Sequence, residues 1–104
     1  MIASDEDWKL YRSRVPKWQE AYMAGLLTEY EKIIQSEEQP SERFWALEKR
    51  ISKDRQCPGV LIRMSRSHML EGLIALMRDH VITPADLEGF SEETVKNVKG
   101  FPDL

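Results

Sequence analysis

Cys57, His68 and His80 are the side chains best suited to metal binding or nucleophilic chemistry, and their spacing supports neither. A zinc site needs three or four converging ligands. His68 and His80 stand twelve residues apart, so on one helix they lie about 18 Å apart along the axis and cannot share an ion. His68 with Glu71 is only an i, i+3 pair, and Asp79 adjoins His80 in sequence alone. Cys57 precedes Pro58-Gly59 in a turn, and no local pattern places a histidine beside it. A base can still arrive through folding. Glycine-rich phosphate loops, G-x-S-x-G and H-E-x-x-H are absent. The expectation is a non-enzymatic chain without catalytic residues, metal or cofactor. His80, near an apolar arc, is expected to be hydrogen-bonded and partly buried.

Polyanion binding is the more concrete chemistry. Residues 43–80 carry eight Lys/Arg against four Asp/Glu, whereas residues 1–42 carry five against nine and residues 81–104 two against five. A basic middle between acidic ends either pairs within one fold or forms an anion-binding face. Arg43, Lys49, Arg50, Lys53 and Arg55 share one helical segment, and Arg63 and Arg66 follow a turn. If the helices on either side are antiparallel, both sets fall near one end, with Trp45 beside them to stack on a base. Glu48 and Asp54 interrupt the patch. The closing helix–turn–helix-like segment is a poor DNA reader, because Ser91-Glu92-Glu93 sets negative charge where phosphates would lie. Nucleic-acid or other polyanion binding through 43–68 is therefore the alternative reading.

Aromatic residues favour a different function. Trp8, Tyr11, Trp18 and Tyr22 lie on one half of a single predicted helix, more large rings than a small helical domain readily encloses. With Trp45 they form the expected protein interface, since exposed apolar patches mark contact surfaces and Tyr and Trp anchor them. The favoured reading is a small protein-interaction or regulatory module that pairs with itself as a homodimer, or with another protein.

The elements that would position these residues are helical. From Ser4 to Ser36, Trp8, Tyr11, Val15, Trp18, Tyr22, Leu26 and Ile33 fall within roughly a quarter-turn arc at about 100° per residue. Met23, Leu27, Tyr30 and Ile34 open a second stripe in the C-terminal half, and two stripes need two packing partners. Ser4 is the expected cap, with Asp7 at the capping-box position. Pro16 removes one backbone bond, but the stripe keeps phase across it, which predicts one kinked helix. Ser41 is expected to cap a second helix, just after Pro40, with Phe44, Leu47 and Ile51 as its buried face and Trp45 projecting away. Val60–Met64 could pass as a strand. With no second strand to pair with, a third helix over about 59–80 is expected instead. Thr83-Pro84 opens a short turn through Leu87, and Ser91 caps a last helix to about Lys99. These pieces predict one all-α domain over 1–104: a long kinked N-terminal helix, two further helices packed antiparallel on it, and a short C-terminal helical cap.

Composition agrees, with 41% hydrophobic and 32% charged residues in 104, ordinary for a globular domain. The acidic MIASDEDW start lacks the basic, then apolar, pattern of a signal peptide. No stretch approaches a membrane span, so a cytoplasmic protein is expected. WQEAYM, FWALEKRISKD, PGV and DLEGFSEE together resemble a group of short bacterial all-helical proteins of unassigned function. That resemblance implies a helical fold and brings no ligand or catalytic residue with it.

Overall fold

The computed structural model describes residues 3–100. The chain is all-helical, and no strand occurs among the described residues. Helix α1 spans Asp5–Ile34, α2 Pro40–Asp54, α3 Met69–Arg78 and α4 Glu92–Lys99. One-turn 3₁₀ helices at Arg66–His68 and Pro84–Leu87 precede α3 and α4. The long dimension of 52 Å follows from α1, whose 30 residues extend about 45 Å. Pro16 lies inside α1 on its exposed side, and the helix runs through it unbroken. The interruption is confined to one missing N–H, while the apolar stripes on either side stay in phase.

The N-terminal half of α1 builds the core. Tyr11 and Val15 are fully buried against Leu73, Leu76, Leu87 and Val98, and Trp8, Leu10 and Trp18 pack against the same cluster. Burying side chains of this size contributes about 1.5–3 kcal/mol each, an upper bound because unfolded chains already hide some surface. Tyr11 approaches α3 so closely that a Cβ on Gly72 would run into its hydroxyl oxygen. That hydroxyl has no hydrogen-bond partner among the described residues, and burial pushes it up to about 12.

Polar contacts lock the ends of this core. Ser4 caps α1 by accepting from the Asp7 N–H at 3.1 Å. The Asp7 side chain does not close the expected capping box. It crosses to α4, where Oδ1 accepts from the Ser91 N–H at 2.9 Å and Oδ2 from the Ser91 and Thr94 hydroxyls at 2.7 and 2.8 Å. A carboxylate 2% exposed thus meets the positive end of a helix dipole. Burial alone would raise its pKa, but the Ser91 and Thr94 donors outweigh it and hold Asp7 below the ordinary value. Arg14 donates to the carbonyls of Asp86 and Glu88 and lies over the Phe90 ring. Gly89 beneath it adopts φ 95°, a conformation a Cβ would strain.

The expected helix over 59–80 is not formed. Residues 55–60 turn, 61–65 form no regular secondary structure, with Ser65 in an extended conformation, and only Met69–Arg78 is α-helical. Leu61, Arg63 and Met64 are exposed, so this stretch can be solvated without a pairing strand, and the Leu61 N–H bonds the Cys57 carbonyl at 2.9 Å. Ile62 packs on the core as it passes, and Arg66 ties the segment to the start of α1 through the Ala3 carbonyl and Asp5. Helix α2 begins at Pro40 rather than Ser41, with Gln39 in the cap position.

Two predictions follow from these contacts. Asp7→Ala leaves three donors at α4 unanswered, and urea unfolding at pH 7 should show a loss of about 3 kcal/mol. The folded pKa is depressed, so the Asp7 contribution is complete above the unfolded value of 3.8 and is lost as pH falls through the folded one. Wild type and Asp7→Ala should therefore converge in stability at low pH. Separately, Tyr11→Phe removes an unpaired buried oxygen and should be neutral or stabilising by about 1 kcal/mol. Gly72→Ala alone should cost several times as much, and Tyr11→Phe should suppress most of that cost in the double variant.

Candidate protein-interaction surface

Helix α2 carries a helical apolar stripe, yet none of its hydrophobic side chains is buried. The reason is positional. Helices α3 and α4 pack with the N-terminal half of α1, leaving α2 alone to face the C-terminal half. Phe44 is 62% exposed, Trp45 63%, Leu27 60%, Ile34 50% and Ile51 42%. Phe44, Leu47 and Ile51, expected to be the buried face of α2, line an open groove instead. Phe44 and Trp45 meet edge-on at 5.0 Å between ring centres, which fixes two aromatic side chains next to each other in solvent.

The hairpin is held together by polar contacts between its two helices. Tyr30 donates to Asp54 Oδ2 at 2.7 Å, and Arg50 bridges Asp54 at 2.9 Å and Glu29 at 2.8 Å. Burial, then the bond to Asp54, pushes the Tyr30 hydroxyl up to about 12. Arg43 donates to the Ile34 carbonyl at 2.6 Å and the Glu38 carbonyl at 3.0 Å, closing the loop and capping α1. Beside these contacts a cavity of about 300 Å³ opens between Met23, Leu26, Leu27 and Tyr30 of α1 and Ile51 and Asp54 of α2, with Arg55 and Val60 completing its lining. A second, of about 290 Å³, lies along Phe44, Leu47 and Glu48. Ile51 and Arg55 line both, so the two form one continuous trough.

The residues expected at a protein interface divide sharply. Tyr11 is sealed in the core, and Trp8 and Trp18 are half-buried against it. Tyr11 therefore cannot serve as a contact residue, and the aromatic excess is absorbed by α3 and α4 within one chain. The Tyr22 ring packs over Gly59. Trp45 alone of the five is largely open. The exposed apolar surface is instead the second stripe of α1, with Leu27 and Ile34, and the stripe of α2. The sequence signal for it was present: Met23, Leu27, Tyr30 and Ile34 form a face that one helix must cover unaided.

The basic residues do not form one patch: Arg50 and Lys53 share a cleft, but Arg43 and Arg66 lie apart. Arg66 binds at Ala3 and Asp5, at the start of α1, whereas Arg43 binds at Ile34, its far end. About 45 Å of helix separates them. Arg43, Arg50 and Arg66 have their donors engaged within the chain. Lys49, Lys53, Arg55 and Arg63 are exposed. The C-terminal ends of α2 and α3 both reach one cleft of about 520 Å³ that includes Lys53 and Arg78, so these cations answer two negative helix ends. Cys57 and His80 line the same cleft, a convergence that no local pattern disclosed. No hydrogen bond joins them among the described residues; the Cys57 thiol accepts from the Gly59 N–H at 3.4 Å. The Tyr22 hydroxyl is pushed up to about 12, first by its bond with Cys57 and then by burial. His80 is exposed rather than partly buried, because it occupies the left-handed position, φ 59°, that ends α3. The Val81 N–H bonds the Leu76 carbonyl and the His80 N–H that of Met77, the pattern of a Schellman stop.

Among the described residues, no three His, Cys, Asp or Glu side chains are placed to hold a metal ion. No helix among them is long and apolar enough to cross a membrane. Comparisons with protein-family models, curated proteins and solved structures give no match.

If the open trough is surplus to the fold, its side chains should be replaceable. Leu27→Gln combined with Phe44→Gln should change unfolding free energy in dilute solution by less than about 1 kcal/mol, whereas Leu73→Ala should cost about 2–5 kcal/mol. Chemical denaturation of the three proteins at one low concentration checks this.

Proposed function

We propose that the chain is a non-enzymatic protein-interaction module of the cytoplasm, and that its working surface is the open face of the α1/α2 hairpin. The observation that supports this most directly is an amphipathic helix of 15 residues whose apolar stripe remains in solvent. An amphipathic helix with an uncovered stripe is an incomplete layer. The exposed side chains include the ring pair Phe44 and Trp45, of the type that anchors interfaces. Polar contacts through Asp54, Arg50 and Arg43 set the two helices before any partner arrives, which lowers the ordering cost of binding.

Photo-cross-linking in the cells that make the protein tests the reading. A benzophenone side chain in place of Phe44 should give covalent adducts with protein, its own chain included, and the same group in place of Glu93 on α4 should not. Equal adduct formation at both positions, or none at Phe44, overturns the proposal.

A further inference from the structure

Resting on the reading that the hairpin face is a docking surface, we propose that its occupant is a second copy of this chain, packed antiparallel across α2 with the two-fold axis near Ile51. The charges that border the trough carry the inference. Glu48 and Arg55 are the charged side chains beside Phe44, Leu47 and Ile51, one acid and one base on the same helix face. Glu48 precedes Ile51 by three residues and Arg55 follows it by four. Two-fold symmetry requires that if one residue meets another, the reverse contact also forms. A two-fold axis between Ile51 and Ser52 therefore sets Glu48 of each copy opposite Arg55 of the other, twice. A partner rimmed by one sign of charge would meet a like charge at Glu48 or at Arg55, whereas a second copy sets the two opposite each other. Asp54, which also lines the trough, has its carboxylate engaged by Tyr30 and Arg50 of its own chain.

Both charges are open to such a contact. Glu48 accepts from the Ser52 hydroxyl at 3.0 Å, which leaves lone pairs to spare, and Arg55 has no side-chain acceptor among the described residues.

Analytical ultracentrifugation of the full chain across a concentration series tests the proposal. The expected species is a dimer, whose dissociation constant rises about tenfold or more in Glu48→Arg and in Arg55→Glu, where like charges face each other twice. The double variant Glu48→Arg/Arg55→Glu restores the pair in reverse and should recover wild-type affinity. Both positions are exposed, and far-UV circular dichroism confirms that each variant is folded. In a Cys57→Ser background, Glu48→Cys/Arg55→Cys should oxidise to a covalent dimer, because within one chain the two positions lie about 10 Å apart along the helix, beyond disulfide reach. A monomer at several hundred micromolar overturns the second-copy proposal, while adducts between Phe44 and a different protein would still uphold the broader docking reading. A dimer indifferent to both charge reversals, or one not rescued by the double variant, overturns this arrangement.

Discussion

One rigid helix has to be covered along its whole length by a chain that has few elements left to do it. Once α1 runs unbroken through Pro16, its two halves lie too far apart to share a partner. The N-terminal half takes α3 and α4, with the Tyr11 ring pressed onto Gly72 and the Asp7 carboxylate fastened to the start of α4. Little is left for the other half. Helix α2 folds back on it and supplies one layer, and a lone pair of helices cannot shield two apolar stripes. Core and open face are thus two results of one constraint.

The contact between Asp7 and α4 shows how the closed half is made specific. Apolar side chains from α3 and α4 could slide along α1 at little cost in buried area. A carboxylate meeting Ser91 and Thr94 through three hydrogen bonds has one satisfactory position, since a misplaced buried charge is strongly unfavourable. Arg14 and Arg66 act in the same sense from opposite sides, each bonding carbonyls far away in sequence. These contacts fix where the helices sit, and the apolar burial supplies the driving force.

Much of the architecture was legible in the residues. The continuous phase of Tyr11, Val15, Trp18 and Tyr22 specified one helix across Pro16, and Ser4, Thr83 and Ser91 marked helix starts that the structure retains. Periodicity reports which faces are apolar but not which partner reaches them. Phe44 and Ile51 therefore read as core, and Trp8 and Trp18 as interface, whereas the first two are exposed and the tryptophans are half-buried against the core. Residues 61–65 read as helix because they lack a pairing strand, whereas exposed Leu61, Arg63 and Met64 can be solvated without one. The Asp7 contacts, spanning more than eighty residues, left no local trace.

The open hairpin keeps its shape without being covered because its polar and its apolar side chains do different work. Tyr30, Asp54, Arg50 and Glu29 form a continuous chain of charge-assisted bonds, and Arg43 closes the loop on backbone carbonyls. Such bonds are directional, so they set the helix pair even where they border the open cavity. The apolar side chains beside them are thereby released from a structural role, and Ile51 and Arg55 can line a trough instead of filling it. A surface organised in advance, apolar at its centre and bordered by one acid and one base, loses little entropy when it is covered. That separation of duties, polar contacts for shape and apolar contacts for association, is what allows a chain of this size to leave part of its hydrophobic surface in solvent and still fold.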